Sequence, residues 1–230
     1  MAENKELVVL RLEGVLQSWG SDSKWDFRNS DSMPTKSGIV GLLGCAMGVE
    51  RGSELLADLS QAITIAVRAD RPGTKCVDFQ TVNGNPMLTV SGTPRKDATG
   101  GPANTIITKR AYLQDAIFTV IIDVNDDYWK ERIIDALKNP KWCIYLGRRS
   151  CIPSRPVYQG TTDKYESVMD AVKGYPAAYR AQYPMNYECE VPQLNAVSLV
   201  RGDDLVGANR KFALRRVWRG KVKEDDNVSQ

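Results

Sequence analysis

The order of the apolar segments is the feature that most restricts how this chain can fold. Residues 6–13 (ELVVLRLE) are rich in β-forming side chains, and Pro34 begins a run in which apolar residues recur at helical spacing as far as Met47. A short helix is predicted from about Gly52, and a longer one from about Tyr128 to Asn139, where Pro140 stops it. Further strands are predicted at residues 63–69, 77–82, 111–124 and 142–146.

These segments follow the order strand, helix, strand, strand, helix, strand, which is typical of a split βαβ, or ferredoxin-like, α+β fold. We expect both helices on one face of an antiparallel sheet and the other face uncovered. Residues 1–160 are predicted to form this domain. Residues 161–230 are predicted to form a less regular, β-rich C-terminal part packed on the same domain, with short strands at 185–191, 196–200 and 212–222.

The 230-residue chain contains no histidine. This absence excludes catalytic triads, histidine acid–base chemistry, HExxH zinc sites and His/Cys zinc fingers. The five cysteines include no CxxC pair, which predicts reduced thiols of a cytosolic protein. The phosphate-binding motif GxxxxGK[ST] is also absent, so nothing supports ATP or GTP binding, and we expect neither a cofactor nor a metal.

The N-terminal residues lack the basic and apolar regions of a signal peptide. The longest apolar run, residues 39–49, is too short and too rich in glycine to span a bilayer. We therefore expect a cytoplasmic protein that does not contact a membrane.

Basic residues are clustered although the formal net charge is only +3. Residues 141–156 carry four basic side chains and no acidic one, and residues 201–223 carry eight basic and two acidic side chains. A third cluster lies within residues 83–110, where Arg95, Lys96, Lys109 and Arg110 outnumber Asp97. Clustered Arg and Lys beside glycine and aromatic residues is typical of a nucleic-acid interface, although each cluster alone is also compatible with an ordinary solvated surface.

The start of the first predicted helix is a candidate phosphate site. Thr35, Lys36 and Ser37 bring hydroxyls, an ammonium group and free N–H groups to the positive end of the helix dipole. Glycines recur within this helix at positions 38, 41, 44 and 48, and close packing against a neighbouring element is their simplest explanation.

Three motifs give the sequence a recognisable resemblance: residues 12–20 (LEGVLQSWG), 34–51 (PTKSGIVGLLGCAMGVER) and 145–153 (YLGRRSCIP). Together with residues 78–84 (DFQTVNG) and 104–120, they resemble the Cas-five family of RAMP proteins, and in particular its members in type I-E CRISPR Cascade complexes. The resemblance covers roughly residues 6–160 and is loose beyond Gly160.

The resemblance implies a RAMP fold, which is a modified RRM or ferredoxin-like domain with an inserted β-hairpin thumb at about residues 83–108. It also implies a non-catalytic backbone subunit that caps the 5′ handle of the CRISPR RNA. The implied partners are that RNA, the repeated backbone subunit, the large subunit of Cascade and, indirectly, target DNA.

Single-stranded RNA is held by cations on its phosphates and by contacts to splayed bases. On this basis eleven residues are predicted to bind RNA: Gln17, Trp19, Arg28, Thr35, Lys36, Ser37, Lys109, Arg110, Arg148, Arg149 and Ser150. For Trp19 a core position is favoured over a base platform, and Arg28 is equally compatible with an ordinary loop surface.

Two alternatives remain open. The first is a metal-independent endoribonuclease that processes precursor CRISPR RNA, with Lys109 and Tyr112 as the candidate acid–base pair. The second is a general RNA-binding scaffold protein unrelated to CRISPR.

Overall fold

The protein is described by a computed structural model that covers residues 5–20, 26–84, 86–89, 91–97, 99–101, 103, 105–194 and 196–224. These residues form four helices: α1 (Lys36–Met47), α2 (Leu55–Ala62), α3 (Asp127–Lys138) and α4 (Val168–Gly174). They form eleven strands: β1 (Leu7–Glu13), β2 (Leu16–Gln17), β3 (Phe27–Arg28), β4 (Ile63–Arg71), β5 (Thr74–Asn83), β6 (Thr105–Gln114), β7 (Ile117–Val124), β8 (Tyr158–Thr162), β9 (Met185–Cys189), β10 (Val197–Gly207) and β11 (Lys211–Val222).

Seven strands form the main sheet in the order β10-β11-β9-β4-β7-β1-β8, and every neighbouring pair is antiparallel. All eight residues of β7 are buried, because this strand lies near the centre of the sheet with helices on both faces. The α+β class expected from the sequence is therefore confirmed. The C-terminal strands β9, β11 and β10 continue the same sheet beyond β4.

Helices α1, α2 and α3 cover one face of the main sheet and bury the larger apolar cluster against it. Local sequence sets their ends: the Thr35 side chain accepts a hydrogen bond from the Gly38 N–H, and Asp126 caps α3 in the same way at Tyr128. Helix α1 ends at Gly48, whose φ of 71° lies in the left-handed region.

The opposite face of the sheet is covered by a helix. The sequence had predicted that this face would be uncovered, and that prediction is wrong. Helix α4 packs there, and its residues Met169 and Val172 join a second apolar cluster with Leu7, Ala66 and Tyr187 of the sheet. Arg68 and Asp70 are fully buried beneath this layer and paired at 2.6 Å. Arg68 Nη1 also donates to the carbonyl oxygens of Val172 and Tyr175, so one buried cation satisfies the end of α4 and fixes it on the sheet.

Strands β5 and β6 form a hairpin that extends the β4–β7 pair. Ile117 is opposite Arg71 in the main sheet, and a few residues away along the two strands Gln114 is opposite Thr74 in the hairpin. Ten consecutive pairs run out to Asn83 and Thr105, and most of their side chains are exposed. The strand predicted at 111–124 is thus two strands, separated at Asp115, whose φ is 53°.

The tip of the hairpin covers much of the segment that the sequence left irregular, although positions 85, 90, 98, 102 and 104 lie outside the described residues. Its backbone is hydrogen-bonded within itself, from Met87 N–H to the Ala103 carbonyl at 3.0 Å and from Arg95 N–H to the Met87 carbonyl at 2.7 Å. The irregular segment is therefore shorter than the predicted one, because regular pairing of β5 with β6 extends to Asn83 and Thr105.

The prediction of a strand at residues 142–146 is wrong. Residues 141–153 are an irregular loop, fixed by hydrogen bonds from Lys141 N–H to the Ala46 carbonyl and from Leu146 N–H to the Cys151 carbonyl, both at 2.7 Å. The place at the edge of β1 is taken instead by β8, which the sequence did not reveal.

Candidate nucleic-acid interface

The loop of residues 141–153 carries Arg148 onto the inner end of the hairpin. Gly147 adopts a φ of 87°, and Ser18 N–H donates to the Leu146 carbonyl at 3.1 Å, so the backbone before Arg148 is tied to the residues after β2. The Arg148 guanidinium carbon lies 4.6 Å from the centre of the Tyr112 ring. Its Nη2 donates to the Arg28 carbonyl oxygen at 2.9 Å, so the side chain is positioned from two sides.

Strand β3 brings Arg28 beside Arg110 of β6 at the same place. It pairs in parallel with β6, with Phe27 beside Lys109 and Arg28 beside Arg110. Because side chains alternate along a strand, Arg110 and Tyr112 share one face of β6 and Lys109 lies on the other. Arg28, Arg110 and Arg148 therefore converge at one end of the hairpin, and we call these three residues the arginine cluster.

Several polar atoms around the arginine cluster are buried without a hydrogen-bond partner in the described structure: Thr108 Oγ1, Arg110 Nε and Arg148 Nη1. Asp78 is directly opposite Arg110 across the hairpin, but its carboxylate accepts from Gln80 Nε2 at 2.6 Å. Buried donors without partners are costly, and a group of them on one face indicates a binding site for an anionic or polar ligand.

Four basic side chains of this region form no ion pair with a carboxylate within the described part of the chain: Lys109, Arg110, Arg148 and Arg149. Arg149 and Ser150 are exposed in the same loop as Arg148. The cluster thus combines planar guanidinium donors with exposed neighbours of the same sign, which is an arrangement suited to phosphate groups.

Gln17 and Trp19 are buried below this surface rather than exposed on it. Gln17 Nε2 donates to the carbonyl oxygens of Leu12 and Ala116 at 3.0 and 2.8 Å, and its Oε1 accepts from Trp19 Nε1 at 3.1 Å. The Trp19 ring packs beside Gly38, where a Cβ atom would contact the ring at 2.9 Å. The core position favoured for Trp19 is the one observed, and both side chains support the site from below.

The start of α1 is occupied by the protein itself. Lys36 N–H donates to Asp203 Oδ2 at 2.8 Å, and the buried Lys36 ammonium group lies 2.9 Å from Glu190 Oε1. Thr35 is also buried and caps the helix, while the hydroxyl of the half-buried Ser37 lies 3.5 Å from Thr35 Oγ1. The phosphate site predicted here is therefore corrected: a carboxylate of β10 takes the position that an external anion would need.

Three of the eight basic residues in the C-terminal segment 201–223 are likewise engaged by carboxylates of the protein. Arg215 donates to both oxygens of Asp203 at 2.7 and 2.9 Å, Arg201 pairs with Glu188 at 2.6 Å and with Asp31 at 3.0 Å, and Arg219 also pairs with Glu188. Burial alone would lower the pKa of Arg201, but Glu188 and Asp31 outweigh burial and raise it. These three arginines consequently belong to an ion-pair network that joins β9, β10 and β11 and reaches the start of α1 through Asp203 and Glu190.

Lys109 and Tyr112, the residues of the endoribonuclease alternative, are not brought together. They lie on opposite faces of β6, and Tyr112 is buried beneath the Arg148 guanidinium group. In the described ranges, no group of three or more Cys, Asp and Glu side chains is arranged to hold a metal ion. No helix among these residues is long and apolar enough to cross a membrane.

Two contributors to the site were missed or misjudged from the sequence. Thr108 was not singled out, and Tyr112 was considered only as a catalytic group. The alternation Thr108, Arg110, Tyr112 along one face of a strand was the signal that could have revealed both, once the strand was known to begin at 105 rather than 111.

A family model described as CRISPR-associated protein (Cas_Cas5) matches residues 7–224 of the chain. The CRISPR system Cascade subunit CasD of Escherichia coli (strain K12) is 33% identical over 169 residues, which are 68% of this chain and 71% of that protein. The chain therefore belongs to the CRISPR-associated Cas_Cas5 family, and the resemblance noted in the sequence is confirmed.

Solved structures agree with this family. One chain, described as a CRISPR RNA-guided surveillance complex, superposes with a TM-score of 0.75 at 29% identity, covering 94% of this chain and 90% of that one. A second, described as the crystal structure of a Cas protein, gives a TM-score of 0.73 at 30% identity and covers 96% and 97% of the two chains. The similarity thus extends over the C-terminal strands as well as the N-terminal motifs.

Proposed function

We propose that the protein is a non-catalytic backbone subunit of a type I-E CRISPR Cascade complex that binds and caps the 5′ handle of the CRISPR RNA. The arginine cluster, with Arg149 and Ser150 beside it, holds phosphates of the handle. The subunit joins the repeated backbone subunit to the large subunit, and through the assembled complex it acts on target DNA. The proposed location is the cytoplasm.

The observation that carries this proposal is the convergence of Arg28, Arg110 and Arg148, which are far apart in the sequence, on one face of β6. Lys109 adds a cation on the opposite face. Gln17, Trp19, Thr35 and Lys36 act in this proposal as internal supports, because their side chains are buried and bonded within the protein. Ser37 remains a candidate contact for the RNA in this proposal.

The strand order supports a ferredoxin-like RAMP domain with a thumb. Strands β4, β7, β1 and β8 are adjacent in that order, and helices precede β4 and β8 in the chain. In this proposal the β5–β6 hairpin is the thumb. It is larger than the sequence implied, because its strands span residues 74–114 rather than only the segment 83–108.

The proposal is tested with Arg148→Ala/Arg149→Ala and a handle RNA derived from the repeat. We expect affinity at about 150 mM salt to fall at least tenfold, and the slope of log affinity against log salt to decrease by about 0.7 for each phosphate of the single strand that the variant no longer neutralises. Fluorescence anisotropy over a salt series measures both quantities. Unchanged affinity and slope would contradict the assignment of the arginine loop.

The matched control is Lys164→Ala/Arg180→Ala, which removes two exposed charges around α4, on the other face of the sheet. Its affinity and slope should equal those of the wild type.

Equal binding of handle and scrambled RNA by the wild type would favour the general scaffold alternative. Specific cleavage of unprocessed repeat RNA in EDTA, abolished in Tyr112→Phe or Lys109→Ala, would favour the endoribonuclease.

A further inference from the structure

A shallow pocket of about 500 Å³ lies beside the hairpin, on the face of β6 opposite the arginine cluster. Asp26, Phe27, Ile107 and Lys109 line it. The parallel pairing of β3 with β6 creates the pocket, because it sets Phe27 beside Lys109 and is continued by a hydrogen bond from Lys109 N–H to the Asp26 carbonyl at 2.8 Å.

The walls of the pocket are apolar and accessible. Ile107 is 52% exposed, and Phe79, the partner of Lys109 on β5, is 57% exposed on the same face. Aromatic and aliphatic side chains with a basic neighbour on a strand surface are typical of sites where single-stranded nucleic acid stacks its bases. The pocket therefore has an apolar surface, from Phe27 and Ile107, on which a planar base can lie, and polar side chains, Asp26 and Lys109, at its rim.

Asp26 and Lys109 are the two charged residues that line the pocket. A carboxylate only accepts hydrogen bonds, so Asp26 favours a base edge that carries an amino group and disfavours one dominated by carbonyl oxygens. Adenine, cytosine and guanine carry an exocyclic amino group, whereas uracil carries two carbonyls and a single N–H donor. Lys109 adds a cation to the lining of the pocket, and a cation beside a base site attracts the neighbouring phosphate.

We propose that this pocket binds one unstacked, amino-bearing nucleobase of the RNA, with Asp26 accepting from its amino group, Phe27 and Ile107 contacting its ring, and Lys109 on the neighbouring phosphate. The inference rests on the proposed RNA-binding function and adds base selection to it. Since the pocket and the arginine cluster lie on opposite faces of β6, they contact different nucleotides of the strand.

The test compares fluorescein-labelled oligo(A), oligo(C) and oligo(U) of eight nucleotides by anisotropy in 150 mM KCl with the full-length protein. We expect the wild type to bind oligo(A) and oligo(C) at least tenfold more tightly than oligo(U). Asp26→Asn, whose amide group can also donate, should reduce this ratio at least fivefold, while Phe27→Ala should weaken all three RNAs about tenfold.

Asp163→Asn is the matched control, an exposed aspartate distant in sequence from the pocket, and it should keep the wild-type ratio. Each ratio is measured on one preparation, so a variant that is partly unfolded does not distort it. Equal binding of the three RNAs by the wild type, or an unchanged ratio in Asp26→Asn, overturns the pocket while leaving the proposed function intact. Binding that lacks salt dependence for every RNA overturns the proposed function itself.

Discussion

At the scale of single residues, Gly147 determines where Arg148 lies. Its φ of 87° is strained for any residue with a side chain, and a Cβ atom there would overlap the carbonyl oxygen of Ser18. The neighbouring backbone cannot yield easily, because the Ser18 N–H is bonded to the Leu146 carbonyl. One small residue thus places the loop against Tyr112.

We expect Gly147→Ala to lower the free energy of unfolding by about 3 kcal/mol or more, and to weaken RNA binding by displacing Arg148. Urea unfolding and RNA anisotropy measure the two effects. Gly92→Ala is the control, since Gly92 has a similar φ of 79° but open space around it. That variant should lose only about 1–2 kcal/mol and bind RNA normally. Equal losses in the two variants would show that the overlap with Ser18 is unimportant.

The thiol of Cys189 is sensitive to pH because it is buried. Burial raises the pKa of Cys189 to about 11, from an ordinary value of 9.0. The folded state therefore prefers the neutral thiol. The resulting stabilisation is complete below pH 9 and is lost as pH rises from 9 to 11.

We expect the stability advantage of the wild type over Cys189→Ala to shrink by about 2–3 kcal/mol between pH 8.5 and pH 11, at 1.36 kcal/mol for each pKa unit. Urea unfolding of the two proteins at matched pH values measures this difference, and groups common to both cancel. A difference that stays constant with pH would mean that the Cys189 thiolate is solvated in the folded protein.

At the scale of elements, ion pairs join the start of α1 to the hairpin that β10 and β11 form. Lys36 contacts Glu190 just after β9 and lies 3.6 Å from Asp204 of β10, and all three side chains are largely buried. Arg215 of β11 completes the network through Asp203 and Glu190. Removing one member of a buried network leaves the opposite charge poorly compensated.

Lys36→Met should therefore cost about 3 kcal/mol in urea unfolding while leaving the salt slope of RNA binding unchanged. Lys130→Met is the control: its ammonium group pairs with the exposed Asp127 on the surface of α3, and the loss should stay below about 1 kcal/mol. A salt slope reduced by about 0.7 in Lys36→Met would instead mean that Lys36 contacts a phosphate of the RNA.

The sequence predicted those elements whose pattern is local. Strands β1 and β4 contain continuous β-forming runs, and α3 begins at an aspartate cap and ends before Pro140. It failed for β8 (YQGTT), which has little apolar character because it pairs with only one neighbour, β1. It also failed for residues 142–146, whose β-like composition is overridden by tertiary hydrogen bonds.

The site was predictable in composition and less so in geometry. Charge clustering singled out the basic residues of the 141–153 loop and the Lys109–Arg110 pair, and the family resemblance then assigned them to RNA. Their convergence depends on the register of β3, a strand of only two residues with no local signal. The counter-ions of Lys36, Arg201 and Arg215 come from positions 12–170 residues away in the sequence, so a local count of charges could not reveal them.

At the scale of the whole molecule, the C-terminal strands belong to the main sheet. Strand β9 pairs with β4 on one side and with β11 on the other, and the buried Arg68 of β4 holds the end of α4. An unfolded C-terminal part would expose the edge of β4 and leave a buried cation without its backbone acceptors.

We expect the two parts to unfold together. In native-state hydrogen exchange at increasing urea, amides of β9 and β7 should open with the same free energy and the same urea dependence. Exposed amides at the hairpin tip provide the control, because they should exchange through local opening that is insensitive to urea. Opening of β9 at clearly lower free energy than β7 would show that the C-terminal part is an independent unit.

The Arg148 guanidinium is held between an aromatic ring and a backbone carbonyl before any ligand arrives. Under the proposed function, a side chain positioned in this way loses little conformational entropy when it takes up a phosphate of the RNA. We expect association to be governed by diffusion and electrostatic steering, so that its rate declines steeply with ionic strength. Differences in affinity among RNA strands should then lie mainly in the dissociation rate.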